Sequence, residues 1–192
     1  MHRLLAFFAL FALSTGLAGA DTPAPAGTFP PQLAAAFTNW VSATSFHVRS
    51  EAYGHEVNID FVKPGKLHAV TGGGKLEIIR IDGDTYVKRD SAWHKFSFPG
   101  LDGILDPVAK INEYVTAHRE TLTVTDVGLT TIDGASLHGY SVLRENVHKS
   151  PTIIYVGADN LIHEVTQHTR FGTVTVTVSN YNAPITIIAP PV

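Results

Sequence analysis

The chain has 192 residues, with 14 Lys and Arg against 17 Asp and Glu, 10 His, no Cys and a formal net charge of −3. A mildly acidic chain without clustered Lys or Arg argues against nucleic acid and anionic lipid headgroups as main partners. The absence of thiols removes disulfides, so the core must supply the stability, and removes the lipobox Cys that a lipid anchor would need.

Arg3 supplies a small positive start, Leu4 to Leu13 form an unbroken apolar run, and Ala18-Gly19-Ala20 places small residues where a signal peptidase requires them. A membrane span needs about 20 apolar residues, and this run has roughly half of that. Residues 1–20 therefore predict a signal peptide cleaved near Ala20, a periplasmic or secreted location and no stable membrane anchor. Loss of Arg3 leaves 13 basic and 17 acidic residues on 172, enough for one domain with a real core.

Residues 21–31 are rich in Pro, Ala and Gly and read as a flexible linker, followed by a single domain over 32–192. Leu33, Phe37, Trp40 and Val41 share one face of a helix predicted over 32–44. The hydrophobic period then shortens to 2. Phe46 and Val48, then Val57, Ile59 and Phe61, alternate with polar residues. Pro64-Gly65 and Gly72-Gly73-Gly74 mark turns around Leu67, Ala69 and Thr71, and Lys75 to Ile81 makes another strand. Asp82-Gly83 signals a tight hairpin into Thr85 to Arg89, and Ser91 a further turn before Trp93 to Phe98.

Leu101, Ile104, Leu105, Val108, Ile111 and Tyr114 share one face of a second helix predicted over 101–120. Strands resume at Leu122 to Val127 and at Thr130-Thr131, then follow a hairpin at Asp133-Gly134 with Ser136 to Leu143. Thr152 to Val156 and Leu161 to Thr169 flank a turn, Val174, Val176 and Val178 alternate with polar residues, and Ile185 to Ile188 ends the chain before Pro190-Pro191. The fold class is mainly β with two or three helices (α+β), built on a long antiparallel sheet of ten or eleven strands. Such a sheet tends to curl. Helices that cover its concave face incompletely would leave an apolar cavity. The same residues also fit an ordinary packed core, because alternation shows which face is buried and not whether it is filled.

Chemistry-bearing motifs are sparse. Gly134-Ala135-Ser136-Leu137-His138-Gly139 has its second glycine one residue too far for a nucleophile elbow and lies in a hairpin. Gly72-Gly73-Gly74 is followed by Lys75 but then by Leu76 in place of the Ser or Thr of a phosphate loop, and reads as a turn. No catalytic residue, cofactor or metal site is expected. Nine histidines remain in the mature chain, and no pair has metal-ligand spacing; His163 and His168 are an odd number apart on one strand.

The order of helix, meandering strands, helix and closing strands resembles the periplasmic lipoprotein carriers and receptors of the LolA and LolB type. It also resembles the related mycobacterial lipoproteins of the LppX and LprG type. The run Ile81-Asp82-Gly83-Asp84-Thr85-Tyr86-Val87 with Trp93, and the closing hairpin from Tyr155-Val156 through Asn160-Leu161-Ile162 to Thr173–Asn182 and Pro184-Ile185, carry the likeness. The resemblance implies a half-open barrel whose concave face holds acyl chains, with helices over it. The expected lining is Phe46, Val48, Ile59, Phe61, Leu67, Leu76, Ile78, Tyr86 and Trp93 from strands, with Leu105, Val108 and Ile111 as a lid and Phe37 and Trp40 closing the other end. Each of these positions also fits plain core. The expected function is non-enzymatic binding of a lipid, acylated or other hydrophobic molecule by a monomer, for carriage or sensing. The alternatives are an envelope interaction or signalling module that binds another protein, and a histidine-based metal-binding protein.

Overall fold

The computed structural model describes residues 29–96, 121–144 and 150–192. The signal peptide at 1–20, the linker as far as Thr28 and the second helix at 101–120 lie outside the described residues. Within them the chain forms one helix, α1 (Pro31–Ser42), and eleven strands. The two or three helices expected are thus one among the described residues. The strands are β1 (Ser45–Ala52), β2 (His55–Val62), β3 (Lys66–Thr71), β4 (Leu76–Ile81), β5 (Asp84–Arg89), β6 (Ala92–Phe96), β7 (Leu122–Ile132), β8 (Ala135–Arg144), β9 (Thr152–Val156), β10 (Ile162–Thr169) and β11 (Gly172–Ser179). Their antiparallel order is β6-β5-β4-β3-β2-β1-β11-β10-β9-β8-β7. The described chain divides into two compact units, 29–42 with 121–173 and 43–96 with 174–192.

In the first unit, Pro31 sits at the first helical position, where its missing N–H costs nothing, and the Pro30 carbonyl accepts from Ala34 N–H at 3.0 Å. Leu33, Ala36 and Trp40 form the buried stripe, and α1 lies against β9 and β10. The helix ends two residues before the expected Thr44, because that residue is drawn into the second unit. There Asn182 Oδ1 accepts from Thr44 N–H at 2.8 Å, and the Thr44 carbonyl accepts from Lys63 N–H. The segments expected at Leu122–Val127 and Thr130–Thr131 are one strand, β7, continuous through a bulge at Val127. The Asp126 carboxylate accepts from Gly128 N–H at 2.7 Å and fixes that bulge.

In the second unit the order is β6-β5-β4-β3-β2-β1-β11, so β1 pairs with both β2 and the distant β11. Two-residue turns join most neighbours. Asp82-Gly83 has φ of 50° and 91°, the left-handed pair that a tight hairpin needs. Tyr53-Gly54 makes a comparable turn with φ of 53° and 75°, although tyrosine is an unusual first residue for it. The strand expected at Ile185–Ile188 does not form. Asn180 and Asn182 adopt positive φ, Pro184 has no N–H to give a ladder, and Ile185 N–H bonds the Ala183 carbonyl in a tight turn.

A candidate ligand-binding face

Residues directly opposite each other in an antiparallel pair project to the same side, so the register sorts the second unit into two faces. One row of partners runs Val178, Val48, Ile59, Ala69, Ile78, Val87, His94 across seven strands. A second runs Phe46, Phe61, Leu67, Arg80, Thr85, Phe96, and a third Val176, Ser50, Val57, Thr71, Leu76. Together they make one apolar face.

The opposite face carries the rows His47, Asp60, His68, Ile79, Tyr86, Lys95 and Arg49, Asn58, Val70, Glu77, Lys88, Trp93.

Seven of the expected lining residues therefore share a face: Phe46, Val48, Ile59, Phe61, Leu67, Leu76 and Ile78. Tyr86 and Trp93 do not join them. A two-residue turn at Asp82-Gly83 sets Ile81 against Asp84, hence Ile78 against Val87, and turns Tyr86 away; the same parity turns Trp93 away. Tyr86 pairs with Ile79 and lies under Lys95, while Lys88 lies 5.6 Å from the Trp93 ring centre. Phe37 and Trp40 belong to α1 in the other unit. Trp40 is buried, and Phe37 stacks on Phe29 with ring centres 5.6 Å apart. Leu105, Val108 and Ile111 lie outside the described residues. Val57, Ala69, Val87, Phe96 and the three valines of β11 also belong to this face. The alternation of Val174, Val176 and Val178 was the signal for the last three.

Burial grades along the face. Phe46, Val48, Leu67 and Val178 are at most 2% exposed, and Ile59 and Phe61 are 7% exposed. The Phe46 ring meets Phe61 at 5.0 Å and Tyr181 at 6.2 Å in an aromatic cluster. Leu76, Ile78, Arg80, Val87 and Phe96 are only half-buried, and Arg89 and His94 are exposed. Thr85 is 4% exposed, so the face is packed at β11–β3 and, that residue aside, more open at β4–β6.

The polar face is tied across strands by a ladder of side chains. His47 Nδ1 lies 2.8 Å from Asp60 Oδ1, and His68 lies 3.8 Å from the other Asp60 oxygen and 3.0 Å from Glu77 Oε1. Lys88 Nζ donates to Glu77 Oε2 at 2.9 Å. The Lys88 hydrogen bond, helped by that from His68, outweighs partial burial and holds the Glu77 carboxyl below its usual range. Arg49 bridges Glu51 and Glu56 further along.

In the first unit the helix is pinned by polar contacts. Tyr140 OH donates to Gln32 Oε1 at 2.9 Å, Gln32 Nε2 to the Gly157 carbonyl at 3.0 Å, and Asn39 Nδ2 to the Asn160 carbonyl at 2.9 Å. The His138 ring stacks on Tyr140 at 4.8 Å and meets Asp126 Oδ1 at 2.6 Å. Burial, with a smaller push from the Asp126 charge, raises the Tyr140 phenol above its ordinary value. Hydrogen bonds from His138 and Gly128 N–H lower the Asp126 carboxyl. Among the described residues, no group of three or more His, Asp or Glu side chains is arranged to hold a metal ion. No described helix is long and apolar enough to cross a membrane.

The chain shares its fold with two solved mycobacterial proteins. It is similar to the lipoprotein LppX of Mycobacterium tuberculosis, at 15% identity and a TM-score of 0.58, over 84% of this chain and 100% of that one. It is similar also to LprF of Mycobacterium bovis, at 18% identity and a TM-score of 0.62, over 83% of this chain and 95% of that one. At this identity the likeness is one of fold. No family model and no curated protein sequence matches the chain.

Proposed function

We propose that this chain is a non-enzymatic, monomeric protein of the periplasm or the secreted space. It binds a lipid, an acylated molecule or another hydrophobic ligand against the apolar face of β1–β6 and β11, for carriage or sensing. The observation that carries this reading is the half-open stretch of that face at β4–β6, continuous in register with the buried stretch at β11–β3. The LppX-like fold supports it, since the resemblance in sequence implied a half-open barrel holding acyl chains. Residues 101–120, with Leu105, Val108 and Ile111, are the proposed cover. A 16-carbon tail buried there would gain on the order of 10 kcal/mol, at about 0.8 kcal/mol per CH₂, before ordering costs.

Titration of the purified chain with a fluorescent hydrophobic probe such as N-phenyl-1-naphthylamine tests the reading. Saturable binding displaced by long-chain amphiphiles is expected. Absence of any saturable site overturns it.

A second reading, an interaction module that binds another envelope protein, has one observation in its favour. Val127 and Leu129 on β7 are 50% and 73% exposed, on a strand at the end of the sheet order. Substituting Leu129 with Lys would abolish partner capture in this reading and leave probe binding intact in the first.

A further inference from the structure

The two faces of the second unit differ in charge as sharply as in hydropathy. Every strand carboxylate of this unit, Glu51, Glu56, Asp60, Glu77 and Asp84, projects to the polar face. Among the described residues the apolar face has no carboxylate, and its formal charges are two arginines, Arg80 on β4 and Arg89 on β5. We infer that the ligand of this face is an anionic amphiphile, whose headgroup is held by Arg80 and Arg89 while its tail lies on the half-buried apolar positions of β4–β6, Leu76, Ile78, Val87 and Phe96. This inference rests on the binding reading above and names its ligand class.

Position supports it. Arg80 stands in the row Phe46, Phe61, Leu67, Arg80, Thr85, Phe96, between a leucine that is 2% exposed and a threonine that is 4% exposed. Arg89 runs back along its strand, and its guanidinium lies 5.2 Å from the centre of the Phe96 ring, the cross-strand partner of Thr85. Both cations therefore belong to the half-open end of the face. A guanidinium stacked on a ring keeps its N–H edge for an acceptor. Arg80 already has a partner within the chain, and an incoming head would exchange with it.

A purely hydrocarbon ligand would strip water from these cations and return nothing. A carboxylate or phosphate head returns charge-assisted hydrogen bonds. Overall composition argued against anionic headgroups because a net charge of −3 averages the two faces. The register separates them.

The test measures Kd of the full chain for four amphiphiles with one dodecyl tail, below their micelle concentrations: dodecanoate, dodecyl phosphate, dodecyl maltoside and dodecyltrimethylammonium. The anionic pair should bind about tenfold or more tighter than the maltoside, and the stronger of the two identifies the head as carboxylate or phosphate. R80Q and the more exposed R89Q should each bring the anionic-to-neutral ratio toward one. K66Q, which removes a cation from the opposite face, should keep it. If R80Q fails to fold, R89Q alone decides. Equal binding of anionic and neutral probes, tighter binding of the cationic one, or loss of the preference in K66Q as well, overturns the inference and leaves the hydrophobic-ligand reading standing. Binding of none of the four overturns both.

Discussion

Ile78 and Ile79 are adjacent on β4, identical in side chain and both half-buried, yet they stand on opposite faces. Ile78 faces Ala69 and Val87; Ile79 faces His68 and Tyr86. Truncating either to Ala removes three carbons from a half-buried site, so each should cost about 1–2 kcal/mol of stability, less than the same change at a fully buried aliphatic. Their effects on ligand should differ. Three carbons in half-contact with a bound tail, at about 0.8 kcal/mol per CH₂, are worth about 1.2 kcal/mol, or roughly eightfold in Kd. Ile78→Ala should weaken amphiphile binding by that factor, and Ile79→Ala by less than about twofold on the same scale. Urea unfolding supplies the stability comparison and probe displacement the affinities. Matched losses of affinity in the two variants, or a larger loss at Ile79, would refute the assignment of faces to roles.

Gly157→Ala would place a Cβ 2.6 Å from Asp159 Oδ1 and 2.7 Å from His163 Nε2, beside the carbonyl that receives Gln32. Both are ends of part-exposed side chains that can turn aside at the cost of their mutual bond, so a destabilisation of at most about 1 kcal/mol is expected by thermal unfolding. Tyr140→Phe removes the donor to Gln32 Oε1 and should cost about 1 kcal/mol, read by urea midpoint, with faster amide exchange in α1. The Lys88 hydrogen bond holds the folded Glu77 carboxyl below its ordinary range, so its contribution is present above that range and is lost as pH falls through the lower folded value. The stability gap between wild type and Glu77→Gln should therefore shrink as pH falls below the ordinary carboxylate range, and a gap constant with pH would refute a role for the Lys88–Glu77 pair.

Much of this was legible in the residues. Period-2 alternation located most strands, and Asp82-Gly83 and Asp133-Gly134 located their hairpins, because few dipeptides tolerate two left-handed conformations. The faces of β5 and β6 were legible too. Counting through a two-residue turn places Tyr86 opposite Ile79, but its size and apolar ring suggested a lining role that parity denies. Arg80 was harder to see. In Leu76-Glu77-Ile78-Ile79-Arg80-Ile81 both faces mix apolar and charged residues, so no alternation assigns them, and only the partners Leu67 and Thr85 do. The last expected strand failed for a different reason. Ile185, Ile187 and Ile188 have strand propensity, and a proline with two left-handed asparagines before them overrides it.

A face that takes up and gives up a ligand cannot also be the sole guarantor of strand register, since its packing changes with occupancy. The ladder on the opposite face supplies an independent clamp. His47, Asp60, His68, Glu77 and Lys88 link five strands through direct or diagonal neighbours, and each step would be broken by a one-residue slip. His68 is its midpoint, bridging Asp60 and Glu77 with 29% of its side chain exposed. His68→Ala should lower stability by about 1 kcal/mol, since partly exposed pairs are worth little each. Amide protection should fall across β2–β4 while amphiphile affinity stays near that of the wild type. If His68→Ala instead loses affinity as Ile78→Ala does, with stability unchanged, the two faces are one coupled site and the clamp is not independent of the ligand.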